Sequence, residues 1–96
     1  MVPAYVIVDV HVTDPERYQD YRTMVPASLD KYGGKFLVRG GKFEKLEGSR
    51  DPGRVVVLEF PSVEQARRWY DSPEYRDAKA LRLRTADSHL IIVEGV

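Results

Sequence analysis

Residues 5–12 read Tyr-Val-Ile-Val-Asp-Val-His-Val, with valine at 6, 8, 10 and 12. A period of two sends alternate side chains to opposite faces of an extended chain, so this stretch is a strand with one strongly apolar face. Just after it, Asp14 and Pro15 supply an N-cap and a first helical residue. Tyr18, Tyr21, Val25, Leu29 and Tyr32 then recur at helical spacing until Gly33 and Gly34 stop the helix. Pro26 falls inside that span, where it removes a backbone donor and predicts a kink or a second short helix.

Further along, Lys35 to Arg39 reads as a second strand, with Phe43 to Leu46 as a possible edge piece. The turn-rich residues 47–53 lead into Arg54 to Phe60, the most strand-like segment of the chain. Ser62 followed by Gln65 is a capping box that opens a helix through Tyr70, with Val63, Ala66 and Trp69 or Tyr70 inward. Ser72 and Pro73 restart a helix after a break at Asp71, with Tyr75, Ala78 and Leu81 on one face, and Ser88 to Glu94 is a last strand. The order βαββαβ predicts an α+β, ferredoxin-like fold over residues 1–96 as one domain, a four-stranded sheet with its helices on one face. Apolar residues occupy both parities of the strands: Ile7, Val55, Val57, Ile91 and Val93 on one, Val8, Val56, Leu58 and Ile92 on the other. The face left bare by the helices therefore needs a cover, and a second copy of the sheet is the simplest one.

Composition narrows the function. The hydrophobic fraction of 43% and charged fraction of 31% are those of a globular protein. Fifteen basic residues balance fifteen acidic ones and are interspersed with them, which argues against nucleic acid or an anionic membrane as partner. Without cysteine there is no disulfide or thiolate metal site, and with neither a secretory leader nor an apolar run near 20 residues the chain reads as cytoplasmic. Two histidines with no helical pairing predict no metal centre, and no cofactor is implied. The third strand lacks the basic, aromatic surface of an RNA-recognition motif, the residues after the first strand lack a glycine-rich phosphate cradle, and Gly33-Gly34 follows a helix rather than a strand.

Four phrases occur in order: Thr13-Asp14-Pro15-Glu16 with Tyr18 and Tyr21; Tyr32-Gly33-Gly34-Lys35-Phe36-Leu37-Val38-Arg39-Gly40-Gly41; Glu59-Phe60-Pro61-Ser62; and Ser72-Pro73-Glu74-Tyr75. Together they resemble domain of unknown function 1330. The resemblance implies a dimeric α+β barrel related in fold to cofactor-free antibiotic-biosynthesis monooxygenases and muconolactone isomerases. It implies no reaction and no catalytic residue.

Candidate residues follow from residue type and parity. Tyr21, Trp69 and Tyr75 predict a ring-lined pocket for a small molecule, against the plainer reading of core packing. Arg39 suits a substrate carboxylate or an internal pairing with Glu59. Asp9, His11, Glu59 and His89 share a parity with apolar neighbours and could form a proton-transfer cluster, with Asp9, His11 or Glu59 as acid or base and His89 beside a ligand. The plainer reading places them near strand ends, solvated or paired. Aligning the first strand parallel to the third predicts Asp9 beside Glu59, one of them retaining its proton to higher pH, and pairing the first strand antiparallel with the last predicts His89 close to His11. Two functions stay open: a cofactor-free enzyme performing proton transfer or oxygenation on a small aromatic or carbonyl compound, and a non-catalytic dimer that binds a metabolite or a protein.

Overall fold

A computed structural model describes residues 2–96. The elements are β1 (Ala4–Val12), α1 (Pro15–Asp30), β2 (Lys35–Arg39), β3 (Arg54–Phe60), α2 (Val63–Tyr70), α3 (Pro73–Thr85) and β4 (Ala86–Glu94). Each helix begins on a side-chain cap. Asp14 accepts from the Arg17 amide, Ser62 from Gln65 and Ser72 from Tyr75. Only half of the expected capping box forms at Ser62, because the Gln65 side chain donates instead to the Tyr32 carbonyl at 3.5 Å.

α1 runs through Pro26 as one helix rather than two. A proline at position 26 cannot donate to the carbonyl of Arg22, four residues back. That carbonyl is taken by Arg39, whose guanidinium donates to it at 2.7 Å. The helical defect thus becomes a tether between α1 and the end of β2. No strand forms over Phe43 to Leu46, and residues 40–53 are an irregular connection.

The sheet order is β2-β3-β1-β4, and every neighbouring pair is antiparallel. This corrects the expected parallel alignment of β1 and β3. A single helical crossover returns the chain to the end where it started, so β2 runs in the direction of β1. The 40–53 connection then reverses it, and β3 must oppose β1. In the true register Asp9 faces Val55 while Glu59 faces Tyr5. Asp9 and Glu59 share a face but stand four residues apart along the strand, about 13 Å. Nor do the two histidines pair directly: Asp9 sits opposite His89, and His11 opposite Asp87.

Even-numbered strand residues face the helices. Val6, Val8, Val10, Leu58 and Phe60 are buried there against Tyr18, Val25, Leu29, Ala66, Trp69, Tyr75 and Ala78. The odd-numbered face has no helix on it, and Ile7, Ile91 and Val93 are exposed there at 37%, 55% and 40%.

Gly53 closes the 40–53 connection against β1. Its amide donates to Asp9 Oδ1 at 2.8 Å, and an added Cβ would lie 2.3 Å from the Val10 carbonyl oxygen. That oxygen is backbone and cannot step aside. Gly53→Ala should therefore destabilise the fold by about 2 kcal/mol or more in a denaturant titration. Gly41→Ala, where nothing lies within 4 Å, should stay within about 0.5 kcal/mol of the parent. Equal effects at the two glycines would contradict the close approach.

Candidate functional site

The inner face of the sheet and α1 enclose a narrow cavity of about 20 Å³, room for one water. Its wall includes Tyr21, Trp69 and Tyr75, with Arg39 at its rim, so four of the five expected ligand-binding residues meet at one place. The fifth, His89, lies on the opposite face of the sheet, in a shallow depression with Ile7, Asp9, Arg50, Pro52 and Ile91.

Spacing along α1 pairs Tyr18 with Tyr21, and the turn between α2 and α3 brings Trp69 onto Tyr75. Trp69 and Tyr75 lie 4.0 Å apart between centroids and Tyr18 and Tyr21 5.2 Å apart. The Trp69 indole N–H donates to Ser28 Oγ at 3.0 Å, and Ser28 in turn donates to the Val25 carbonyl, so the buried ring is held by α1 as well as by packing. A polar chain runs behind these rings. The phenol oxygens of Tyr21 and Tyr75 are 2.8 Å apart, Arg82 Nε donates to Tyr75 Oη at 3.3 Å, and a second Arg82 nitrogen donates to Ser88 Oγ.

Arg82 is 3% exposed and has no carboxylate partner among the described residues. Burial by itself lowers its pKa, but the surrounding oxygens of Tyr75, Tyr21 and Tyr70 outweigh it and raise it, so the guanidinium stays charged. Burial pushes the Tyr21 phenol far above its ordinary value, and the neighbouring Tyr75 adds to the shift. Tyr18 is raised as well, first by burial, with the Arg54 guanidinium opposing. Tyr21 is therefore a neutral hydrogen-bond donor or acceptor near neutral pH.

Three further arginines line the cavity: Arg22 from α1, Arg39 from β2 and Arg54 from β3. Arg22 donates to Gln19, and Arg39 to the Arg22 carbonyl and lies 4.3 Å from the Phe36 ring centroid. The Nε atoms of Arg22 and Arg54 are buried without a partner. Among the described residues, the cations in ion pairs are His11, Arg17, Lys31, Lys35, Lys45, Arg67 and Arg68, and none of them lines this cavity.

The expected proton-transfer cluster is divided. Asp9, His11 and His89 do gather on the bare face: His11 Nε2 is 3.6 Å from Asp9 Oδ1, and His89 is the cross-strand partner of Asp9. The Asp9 carboxylate also has a structural task, holding the Gly53 amide. Glu59 is separate and bound to Lys35 at 3.0 Å, which replaces the expected Arg39–Glu59 pair. Its pKa is lowered, chiefly by that hydrogen bond, where a carboxylate neighbour would have raised it. Among the described residues no three His, Cys, Asp or Glu side chains converge as metal ligands.

Arg82, Arg54 and Arg22 were missed as site residues, yet two carried a signal. Positions 75, 78 and 82 share one helical stripe, so an arginine at 82 falls on the buried face of α3. Arg54 has the parity of Val56 and Leu58, which puts it on the covered face of β3.

Fold and cavity together are those of a ferredoxin-like α+β protein with a small interior cavity lined by aromatic residues and arginines. The model of the family described as domain of unknown function (DUF1330) matches residues 3–96, and the chain belongs to that family. No curated protein matches the chain. Among solved structures it resembles a protein of unknown function from Rhodopseudomonas palustris, with a TM-score of 0.79 and 24% identity over 99% of this chain and 83% of that one. A dimeric ferredoxin-like protein of unknown function from Thermobifida fusca gives a TM-score of 0.60 at 17% identity, over 97% and 91%. SnoaB, a cofactor-independent oxygenase from Streptomyces nogalater, gives 0.60 at 15% identity, over 95% and 88%. At these identities the likeness is one of fold. No helix among the described residues is long and apolar enough to cross a membrane.

The Glu59–Lys35 pair sets a pH dependence. A carboxylate whose folded pKa lies below the ordinary 4.5 contributes stability that is complete above that value and is lost as pH falls through the folded one. Lys35→Met should therefore flatten the acid limb of the stability profile below the ordinary carboxylate value and leave neutral pH little changed. Superimposable acid limbs for parent and variant would remove the pair as its source.

Proposed function

We propose that the chain binds a small aromatic or carbonyl compound in the cavity between α1 and the sheet, and acts on it without a cofactor by proton transfer or oxygenation. The observation that carries this reading is the buried Tyr21–Tyr75–Arg82 chain. Evolution rarely leaves a guanidinium in a core without an acid, because an unpaired buried charge costs several kcal/mol. Such a chain has a use where negative charge develops on a bound oxygen: Arg82 donates to Tyr75, and the phenol pair offers a donor to an enol or phenol oxygen as it ionises. Trp69 and Tyr75 supply the flat apolar walls that a ring needs. Likeness of fold to a cofactor-independent oxygenase adds analogy and no residue role. Asp9 and His11 are proposed as an auxiliary acid and base only for a ligand on the bare face, and Glu59 is engaged with Lys35.

A cavity with room for one water must widen to seat a ring, and a core this nearly filled favours a second reading, a non-catalytic dimer that binds a metabolite or a protein. One experiment separates the two. Trp69 is the sole tryptophan, so phenols and enolisable carbonyl compounds titrated into the protein should change its emission in a saturable way. Tyr21→Phe should weaken that binding by about tenfold, the value of a hydrogen bond to a partly charged group. Trp69→Phe should fold, since Ser28 keeps its bond to Val25. Saturable binding with oxygen uptake or exchange of the substrate's acidic proton supports the enzyme; binding with neither supports the second reading. A panel with no saturable response would end the cavity reading.

The bare face is proposed to seat a second copy. Ile7, Val38, Ile91 and Val93 are exposed on or beside it, and a sheet face of this kind is normally covered. The likeness to a protein described as dimeric is in keeping with this arrangement. Light scattering at micromolar concentration should give twice the chain mass, and Ile91→Lys should give the single mass. A monomeric parent would refute the assembly while leaving the interior cavity untouched.

A further inference from the structure

The interior site has cations and no anion. Arg22, Arg39 and Arg54 stand around the cavity with Arg82 behind it, and no Asp or Glu lines it. An open groove of about 220 Å³ shares Tyr18, Arg22 and Arg54 with the cavity and leads outward past Val12 and Gln19. It too has no carboxylate. Ion pairing is not general in this chain, since Lys42, Arg50, Arg76, Lys79 and Arg84 are absent from the ion pairs among the described residues, so what sets Arg22 and Arg54 apart is that their Nε atoms are buried.

We infer that the ligand of this site is itself an anion, a planar aromatic or enolic acid whose carboxylate is held by Arg22 and Arg54 at the groove while its ring extends toward Tyr21 and Trp69. The inference rests on the proposed cavity reading and names its ligand class. Its first support is the pair of buried, unpartnered Nε–H donors on Arg22 and Arg54. Each is a buried donor awaiting an acceptor, and guanidinium forks match carboxylate geometry. Its second support is how Arg54 is placed. Its guanidinium packs over Gly40, where any Cβ would lie 2.2 Å from Arg54 Nη1, and Gly40 has a positive φ of 67° that itself suits glycine. The end of β2 is shaped to leave room for that side chain. Its third support is the Pro26 defect, which frees the Arg22 carbonyl for Arg39 and thereby draws another cation to the rim. A second copy seated on the bare face would lie across the sheet from these groups and could not neutralise them.

The test compares acids with their neutral isosteres on the unaltered protein. Salicylate and benzoate against salicylamide and benzamide, followed by Trp69 emission and by calorimetry, should show the acids bound at least about tenfold more tightly, with the advantage shrinking as salt screens the charge. Arg54→Gln should weaken salicylate by about tenfold or more and leave salicylamide unchanged. Arg22→Gln provides the same comparison should the first variant fail to fold. Amides that bind as tightly as acids would overturn the anion inference and preserve the cavity. If neither acids nor amides bind, the cavity reading fails and the inference falls with it.

Discussion

Strand β1 is hydrogen-bonded on both sides, to β3 and to β4, and the register of these two ladders decides where every side chain of the sheet points. Because side chains alternate, a slip of one residue would send Val6, Val8 and Val10 to the bare face and bring Ile7, Asp9 and His11 beneath the helices. The first set has no polar atom to leave unsatisfied. The second would bury a carboxylate and an imidazole, and the cost of burying them excludes the slipped register. One apolar alternation therefore places Val6, Val8 and Val10 in the core beside Leu58 and Phe60 and leaves Asp9, His11 and His89 outside it.

On that base, local defects take on roles. Pro26 costs α1 a hydrogen bond, but the liberated Arg22 carbonyl ties Arg39 to the helix. Arg39 is otherwise an exposed residue at a strand end, with rotamer entropy to lose. The tether and its stacking on Phe36 hold it at the rim. Asp9 shows a similar economy, one carboxylate oxygen serving the Gly53 amide and lying near His11. A residue chosen for ionisable chemistry can thus be retained for the geometry of a loop.

The interior site differs from the outer histidine cluster in what its charges face. Outside, His11 has Asp9 beside it in partial contact with water, a setting of modest electrostatic consequence. Inside, Arg82 has only phenols and a serine hydroxyl around it, and burial there strengthens each interaction. Arg82 thus keeps its charge behind the cavity wall, with neutral oxygens and no carboxylate as its hydrogen-bond partners.

Periodicity and caps made the secondary structure legible: the valine alternation of β1, Asp14 with Pro15, Ser62 with Gln65, and Ser72 with Pro73 all mark elements that form. Three helices must pack before Tyr21, Trp69 and Tyr75 can meet, but helical spacing marks each as an inward residue on the apolar stripe of its own helix. These are local properties, carried by the residues within a few positions of one another. Strand direction is not local. Whether Asp9 meets Glu59, Val55 or His89 depends on how the 40–53 connection turns the chain and on which strands adjoin, and no spacing within β1 records it. The same holds for Arg22, Arg54 and Arg82, which come from α1, β3 and α3. Spacing puts Arg82 and Arg54 on covered faces of their elements, but the gathering of Arg22 and Arg54 at one cavity with Arg82 behind it is decided by the packing of helices on an antiparallel sheet.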